Sequence, residues 1–291
     1  MVSIVISTMN SALLLPQCLD SITRQTWSAI ETIVVDGFST DNTIEVARRY
    51  GAKVFCYGPR QSEPYQRFFG TPYQWNYGAK LATGNYLYLV DSDMRLAPRV
   101  VEDCVNLAQR QRYDAVIVPE VSYGEGFWAE CKSLQRSFFL GDSSIESPRF
   151  IRMGVWRLLN GVDSSLRGYL DWDLTDRLKE REFKIGRTRS VVYHYEGRLQ
   201  LLRLIRKKYI HGRATSLYFS KHRKTLLTAE NFSRFSIIRP AYIDNFRKLL
   251  ANPKLAVGFL VMIISEYIAA TFGAIKGITA NRHNVEIQSE P

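Results

Sequence analysis

The feature that most constrains this chain is an alternation of short apolar runs with segments of helical length over its first 118 residues. Five runs rich in β-branched and aromatic residues predict strands, at 2–6, 31–35, 54–57, 86–90 and 115–118. Four segments between them space their apolar residues closer to the helical period, at 13–25, 40–50, 74–81 and 98–111. Such alternation predicts an α/β fold, with a mostly parallel sheet covered by helices on both faces.

Polar side chains follow three of the predicted strands. In an open parallel sheet the ligand crevice lies beyond the carboxyl ends of the strands, so these residues are the first candidates for a site. They are Thr8 and Asn10 after the first strand, Asp36 and Asp41 after the second, and Asp91, Ser92 and Asp93 after the fourth. The sequence therefore predicts an acidic crevice at one edge of the sheet.

Asp36 and Asp41 each have two interpretations. A carboxylate at the end of an early strand can accept hydrogen bonds from a base or a ribose, which favours a nucleotide contact for Asp36. Asp41 follows Ser39 and Thr40, which are natural helix caps, and both acids are also common in turns. A functional and a structural role both stay open for Asp41.

Asp91 and Asp93 are separated by one residue at the end of an apolar strand. Two carboxylates at such a place are costly to desolvate unless a cation binds them. Mg²⁺ and Mn²⁺ take one or two carboxylates together with phosphate oxygens. We therefore predict a Mn²⁺ or Mg²⁺ site that gathers a nucleotide diphosphate.

Several motifs occur together in a family-specific order. They are the opening run 2–10, the segment 17–22 with Gln25 and Thr26, the segment 34–43, and Asn76 and Gly78 followed by Gly84 before the fourth strand. With these motifs the chain resembles the family 2 glycosyltransferases of the GT-A fold, over residues 1–197.

The resemblance implies roles on the donor side. It implies that Thr8 and Asp36 contact the base and ribose of a nucleotide-sugar, and that Asp91 and Asp93 flank the donor's ribose and the metal ion. The other polar residues of these motifs that we expect at the donor are Asn10, Asp41, Asn76 and Ser92.

The segment 161–163, followed by 170–174 and Arg177, resembles the acceptor-side motif of the family. The family usually has Glu-Asp there, and its Asp is the general base; this chain has Leu170 in the Glu position and keeps Asp171. An acceptor hydroxyl must lose a proton as it attacks the anomeric carbon, and a carboxylate can take it. The resemblance implies that Asp171 is this base, with inversion at the anomeric carbon; a helix cap is the alternative.

Two further residues have open interpretations. His194, near the end of a predicted strand, is either a third metal ligand or phosphate contact, as in some relatives, or a structural histidine. Arg67 is either a contact to the diphosphate or an ordinary exposed arginine.

The net charge of +11 is concentrated in one segment. Residues 198–254 hold 14 Lys and Arg against 2 Asp and Glu, whereas residues 1–197 hold 23 of each. A basic block beside an apolar stretch suits binding to anionic lipid headgroups. A nucleic-acid-binding protein would more often carry such charge across its folded domain. The segment 199–218 predicts a basic amphipathic helix, for which packing against the catalytic domain is the alternative.

Residues 255–275 form an apolar run of membrane-spanning length with Glu266 near its middle. An acid there costs roughly 2.5–3.5 kcal/mol on insertion scales, so the run either crosses a bilayer or lies on it. We expect a catalytic domain at 1–197 and a membrane-binding helical region at 198–291, on the cytoplasmic face of the cell membrane because no secretory signal opens the chain.

The sequence thus predicts a metal-dependent, inverting glycosyltransferase with a UDP- or GDP-sugar donor and a lipid-linked acceptor. The alternatives are a nucleotidyltransferase or phosphohydrolase on a similar sheet, and an inactive membrane scaffold. A dehydrogenase is disfavoured because the first strand is not followed by Gly-x-Gly-x-x-Gly. The four scattered cysteines predict buried apolar side chains rather than disulfides or a zinc site.

Overall fold

A computed structural model describes residues 1–58, 71–166, 168–222 and 234–288, the last nine of these by their backbone alone. The chain divides into two compact units. The first is Met1–Val121, Glu146–Ser164 and Leu170–Tyr195, and the second is Ser122–Ile145, Ser165–Tyr169 and Glu196–Pro291. The assignment of 1–197 to catalysis and of 198–291 to membrane binding stays a prediction.

A seven-stranded sheet in the order β3-β2-β1-β4-β8-β6-β9 forms the centre of the first unit. Its strands are β1 (Val2–Thr8), β2 (Ile30–Asp36), β3 (Lys53–Cys56), β4 (Tyr86–Asp91), β6 (Ala115–Ile117), β8 (Phe150–Arg152) and β9 (Ile185–Arg187). The first four strands are parallel, while β8 runs antiparallel to both β4 and β6. The five predicted strands and the mostly parallel sheet are confirmed.

The helices of the first unit cover both faces of this sheet. They are α1 (Leu15–Thr23), α2 (Thr43–Arg49), α3 (Thr71–Leu81), α4 (Val100–Arg110), α6 (Met153–Leu158) and α7 (Leu170–Glu180). Ile4 and Ile6 of β1 belong to one buried apolar cluster, and Val5 between them belongs to a second cluster. Every residue of β1 is buried because neighbouring side chains point to opposite, equally covered faces.

A smaller sheet has the order β5-β10-β7. Its strands are β5 (Met94–Leu96), β7 (Glu120–Glu125) and β10 (Val192–Arg198). Within the first unit, β10 pairs antiparallel with β5, and the pair His194–Met94 places the histidine next to the residue that follows Asp93.

The second unit is helical in the part the structure describes, apart from the ends of β7 and β10. Its helices are α5 (Phe127–Ser137), α8 (Leu201–Arg213), α9 (Thr215–Lys221), α10 (Pro240–Asp244), α11 (Arg247–Leu250) and α12 (Pro253–Gln288). The predicted helix at 199–218 is divided into α8 and α9 at Ala214. The apolar run at 255–275 lies within α12, which by length and composition is the one described helix that can cross a membrane.

Three of the four cysteines are buried, as predicted, and all four are free. Cys56 is exposed, so its assignment to the core was wrong. It ends β3, the last strand at its side of the sheet, where fewer neighbours cover a side chain.

Candidate active site

The carboxyl ends of three adjacent strands bring the predicted donor residues together. In the parallel register Thr8 of β1 lies beside Asp36 of β2, and Ser7 lies beside Asp91 of β4. The Ser7 hydroxyl donates a hydrogen bond to Asp91 Oδ1 at 3.3 Å. This edge of the sheet is therefore lined by acidic side chains, as the sequence predicts.

Asp36 is completely buried and well supplied with hydrogen-bond donors. The Thr8 hydroxyl donates to Asp36 Oδ2 at 2.8 Å, and the Ser39 amide and hydroxyl donate to its two oxygens at 2.6 Å each. The carboxylate thus fixes the start of the loop that follows β2. A contact between Asp36 and a nucleoside stays a prediction.

Asn10 and Asp41 tie the loops after β1 and β2 to each other. The Thr40 amide donates to Asn10 Oδ1 at 2.8 Å, and the Ala12 amide donates to Asp41 Oδ2 at 3.2 Å. Burial acts against the ionised form of Asp41, but hydrogen bonds from Thr43 and the Ala12 amide hold the pKa of its carboxyl below the ordinary value. Both side chains hold the two loops together, and their predicted contacts with the donor stay predictions.

Asn76 is engaged with the main chain of a different segment. Its side-chain amide donates to the Val162 carbonyl at 2.7 Å, and its Oδ1 accepts from the Val162 amide at 3.0 Å. Gly161 has a positive φ of 70°, and an added Cβ would lie 2.2 Å from Asn76 Oδ1. Asn76 therefore holds the turn of the acceptor-side motif, whereas Arg67 lies outside the described residues.

Arg149 is the central cation of the crevice, with 16% of its side chain exposed. Its guanidinium lies 2.6 Å from Asp91 Oδ2, 3.4 Å from Glu120 Oε1 and 3.8 Å from Asp171 Oδ2, and it stacks over the Trp75 ring at 5.2 Å. Burial acts against the charged form, but the three carboxylates raise the pKa of Arg149 well above its ordinary value. A permanent positive charge thus joins the predicted metal motif to the predicted base.

His194 lies between the carboxylates of Asp93 and Glu120. Its Nε2 lies 3.5 Å from Asp93 Oδ2 and its Nδ1 lies 3.4 Å from Glu120 Oε2. Burial lowers the pKa of His194, but the carboxylates of Asp93 and Glu120 outweigh burial and raise it to about 10. Burial likewise raises the pKa of Asp93, and His194 outweighs this and lowers it. Glu120 therefore joins Arg149 to His194.

Asp171 lies in the first turn of α7, and 40% of its side chain is exposed. The hydroxyls of Ser147 and Thr175 donate to the Asp171 carbonyl at 3.0 and 2.8 Å, which fixes the backbone of this turn. A partly exposed carboxylate on a fixed turn, 3.8 Å from a buried guanidinium, has the accessibility that a general base needs.

The residues present fit a divalent cation in one respect. Asp93 Oδ1 is buried and has no hydrogen-bond partner within the described part of the chain, so one carboxylate oxygen is available to a ligand. Across 1–58, 71–166, 168–222 and 234–288, however, no three His, Cys, Asp or Glu side chains are grouped closely enough to hold a metal ion. The metal assignment of Asp91, Asp93 and His194 stays a prediction.

Sequence reasoning missed Arg149 and Glu120. Neither belongs to a recognised motif, and both reach the crevice through pairing between strands distant in sequence. The Leu89 amide donates to the Arg149 carbonyl at 2.9 Å, which sets Arg149 beside the end of β4. Two acids that follow a buried strand indicate only weakly that a basic side chain lies nearby. Their spacing in the sequence does not identify which residue supplies that side chain.

Comparison with known proteins agrees with this architecture. The model of the family described as "Glycosyl transferase family 2" matches residues 3–161, more than half of the chain. The chain belongs to this family.

Among curated proteins, a "PGL/p-HBAD biosynthesis glycosyltransferase" of Mycobacterium bovis is 29% identical over 195 residues, which cover 66% of this chain and 75% of the relative. Among solved structures, the mannosyltransferase PcManGT from Pyrobaculum calidifontis, in complex with GDP-Man and Mn²⁺, has a TM-score of 0.62 at 18% identity and covers 95% of this chain and 86% of its own. The S. aureus TarS structure has a TM-score of 0.55 at 13% identity and covers 94% of this chain but 54% of its own. These likenesses support the GT-A fold, and the family supports glycosyl transfer.

Proposed function

We propose that this glycosyltransferase moves a sugar from a UDP- or GDP-sugar to an acceptor hydroxyl or phosphate, with Mn²⁺ or Mg²⁺ as cofactor and inversion at the anomeric carbon. The observation that carries the proposal is the composition of the crevice. Four carboxylates, those of Asp91, Asp93, Glu120 and Asp171, lie within 4 Å of Arg149 or His194. Among them, Asp93 Oδ1 is buried and has no hydrogen-bond partner in the described part of the chain. A buried carboxylate oxygen left open beside a second carboxylate at a strand end favours a divalent cation carrying a diphosphate.

The donor would lie along the edge formed by Thr8, Asp36 and Asp91. Asp93, with Asp91 and His194 as its neighbours, would hold the cation, which offsets the charge of the departing nucleoside diphosphate when it is bound. Support comes from the solved neighbours, since TarS has been determined with UDP-GlcNAc and PcManGT with GDP-Man and Mn²⁺.

Asp171 would take the acceptor proton as the oxygen attacks the anomeric carbon. Arg149 would act as a positioning residue, because its guanidinium lies within 3.8 Å of Asp171 and 2.6 Å of Asp91 at the same time. A planar, five-donor group can orient two carboxylates in a fixed relation, which a lysine cannot do. The general base Asp171 and the donor-side residue Asp91 would thus be oriented by the same guanidinium.

The acceptor would carry a lipid tail, such as a polyprenyl phosphate or diphosphate bearing a sugar, at the cytoplasmic face of the membrane. The basic segment 198–254 and the apolar helix α12 favour this location. The first alternative, a nucleotidyltransferase or phosphohydrolase, would break the P–O–P bond of the donor and release sugar 1-phosphate rather than transfer the sugar.

The experiment is a transfer assay with purified protein, UDP- and GDP-sugars and a lipid-linked acceptor, with Mn²⁺ and with EDTA. We expect a glycosylated product by mass spectrometry, formed with one donor base, lost in EDTA, and inverted at the anomeric carbon by NMR. Retention of configuration, or release of sugar 1-phosphate without sugar transfer from any donor, would refute the proposal.

A further inference from the structure

Helix α12 is apolar on both of its long faces. One face is buried in the second unit, and Phe259, Met262 and Ile263 on it join the apolar cluster around α5 and α8. The opposite face is exposed. Its side chains, each 49–63% exposed, are Val257, Leu260, Ile264, Ile268, Phe272 and Ile275. At 1.5 Å per residue this outward face runs for roughly 27 Å, and a continuous apolar strip of that length requires a cover.

The inward face cannot be withdrawn from its neighbours without loss of close packing. An added Cβ at Gly212 of α8 would lie 2.2 Å from the Ala270 carbonyl oxygen, and one at Gly273 would lie 2.1 Å from the Tyr209 carbonyl oxygen. The backbones of α8 and α12 therefore touch at glycines on both helices. Such contact fixes α12 along α8.

Glu266, the acid in the middle of the apolar run, is on this inward face. Its carboxylate lies 3.1 Å from Lys132 Nζ of α5 and 3.9 Å from Lys208 Nζ of α8. Lys132 Nζ also donates to Gln135 Oε1 at 2.7 Å. The negative charge of Glu266, which would disfavour burial of α12 in hydrocarbon, is thus neutralised by Lys132 and Lys208 of the same unit.

A transverse orientation would carry α8 into the bilayer together with α12. The exposed side chains of α8 include Arg203, Arg206 and Lys207. Each cation at the bilayer centre carries a large free-energy cost, even on insertion scales, which give the lowest values. The pairing of α12 with a basic helix therefore disfavours spanning and favours an interfacial position.

Charge also selects the partner that covers the outward face. Exposed cations alternate with exposed apolar residues where the chain enters α12, with Phe246 and Leu250 beside Arg247 and Lys254. A second copy would present the same basic surface, and like charges would repel. Anionic headgroups complement this surface, because each Lys or Arg near the membrane is attracted to them.

We propose that the second unit is monotopic, with α12 lying parallel to the surface of an anionic phospholipid bilayer. Its outward face enters the boundary between headgroups and acyl chains, while its inward face stays packed on α5 and α8. This inference refines the membrane location in the proposed function but does not depend on sugar transfer, so its test measures binding and depth rather than turnover.

The first measurement is flotation of the full chain with vesicles of phosphatidylcholine, with and without phosphatidylglycerol. We expect binding to the anionic vesicles that weakens with salt, and a loss of roughly tenfold in affinity for Ile268→Glu because apolar contact is lost. The matched control is Leu158→Glu, since Leu158 is 61% exposed on α6 of the first unit. Vesicle binding that is unaffected by Ile268→Glu, or a dimer in place of vesicle binding, would overturn the proposal.

The second measurement is depth. A fluorophore is attached to the introduced cysteine of Val257→Cys, Ile264→Cys, Ile268→Cys or Ile275→Cys, each in a Cys56→Ser background whose other three cysteines are buried. Its emission is quenched by lipids that carry nitroxides at known depths. A helix lying in the interface gives four similar, shallow depths. A profile deepest near Ile264 and Ile268 and shallow at both ends would show a spanning helix and contradict the inference.

Discussion

The two units of this protein contain charged clusters of different composition. In the first unit, four carboxylates lie within 4 Å of Arg149 or His194. In the second unit, Glu266 lies between Lys132 and Lys208, so bases are in excess. The first cluster reaches solvent through Asp171, which is 40% exposed, whereas the Glu266 side chain is 6% exposed.

This difference separates a reactive site from a structural ion pair. A group of carboxylates with an accessible member can recruit a cation and exchange protons with a substrate. A carboxylate enclosed by two lysines can only stabilise the packing of the helices that supply them. The comparison predicts that mutations in the first cluster reduce activity and that mutations in the second reduce stability.

Replacement of the accessible acid should give the largest effect. We expect Asp171→Asn to reduce the transfer rate by roughly 10³-fold, because general-base catalysis supplies 10²–10⁴-fold, with the thermal midpoint unchanged. Asp20→Asn, at an exposed aspartate paired with Arg24, is the control and should keep full activity. A transfer rate for Asp171→Asn within threefold of wild type would exclude Asp171 as the base.

Removal of the enclosed acid tests the other half of the comparison. We expect Glu266→Gln to reduce the free energy of unfolding by about 3 kcal/mol, because two lysines lose their buried partner. Glu130→Gln, at an exposed position on α5, should change it by less than about 0.5 kcal/mol. Denaturant unfolding measures the free energy of unfolding of both variants. Equal values for the two variants would contradict a stabilising role for Glu266.

Glu31 is an enclosed acid of the first unit, so we expect it to affect stability rather than activity, as Glu266 does in the second unit. Burial raises its pKa, but Lys53, Ser3 and Thr83 outweigh this and lower it from 4.5 to about 2. Because the folded-state pKa is lowered, this stabilisation is present above about pH 4.5 and is lost as the pH falls toward 2. We expect Glu31→Gln to cost about 2 kcal/mol at neutral pH and little near pH 2, with transfer activity retained.

The control for that measurement is Glu45→Gln, at an exposed position on α2. Its unfolding free energy should follow wild type across the same pH range. A constant difference between Glu31→Gln and wild type from pH 7 to pH 2 would contradict the linkage.

Arg149 should give the smallest effect when its charge is kept. We expect Arg149→Lys to reduce kcat by about tenfold with little change in donor KM, because an ammonium cannot contact Asp91 and Asp171 together. Arg149→Ala should lose more, and added guanidinium should restore part of its rate. Full activity in Arg149→Lys, or no rescue of Arg149→Ala, would argue for a purely structural role.

Much of the fold can be predicted from the sequence, because in the first half the local apolar patterns agree with the strands and helices that form. Apolar runs at strand length and helical spacing between them specify both the parallel sheet and its crevice edge. The acids after β2 and β4 follow from the same rule, since parallel strands end at one edge.

The sequence does not reveal contacts that depend on long-range pairing. Arg149 and Glu120 enter the crevice through β8 and the small sheet, and the partners of Glu266 come from α5 and α8. In the sequence Glu266 appears as an obstacle to bilayer insertion, while in the folded unit it is a paired side chain. Asn76 likewise suggests a donor contact, yet its amide holds the turn at Val162.

Metal-dependent donor binding at Asp93 can be measured by thermal unfolding with UDP- and GDP-sugars, each with and without Mn²⁺, for wild type and for Asp93→Ala. A donor present at 100 times its dissociation constant should stabilise the fold by about 2.7 kcal/mol. We expect a shift of the midpoint for one donor base that requires Mn²⁺ and disappears in Asp93→Ala. A shift of equal size without metal or in Asp93→Ala would contradict this expectation.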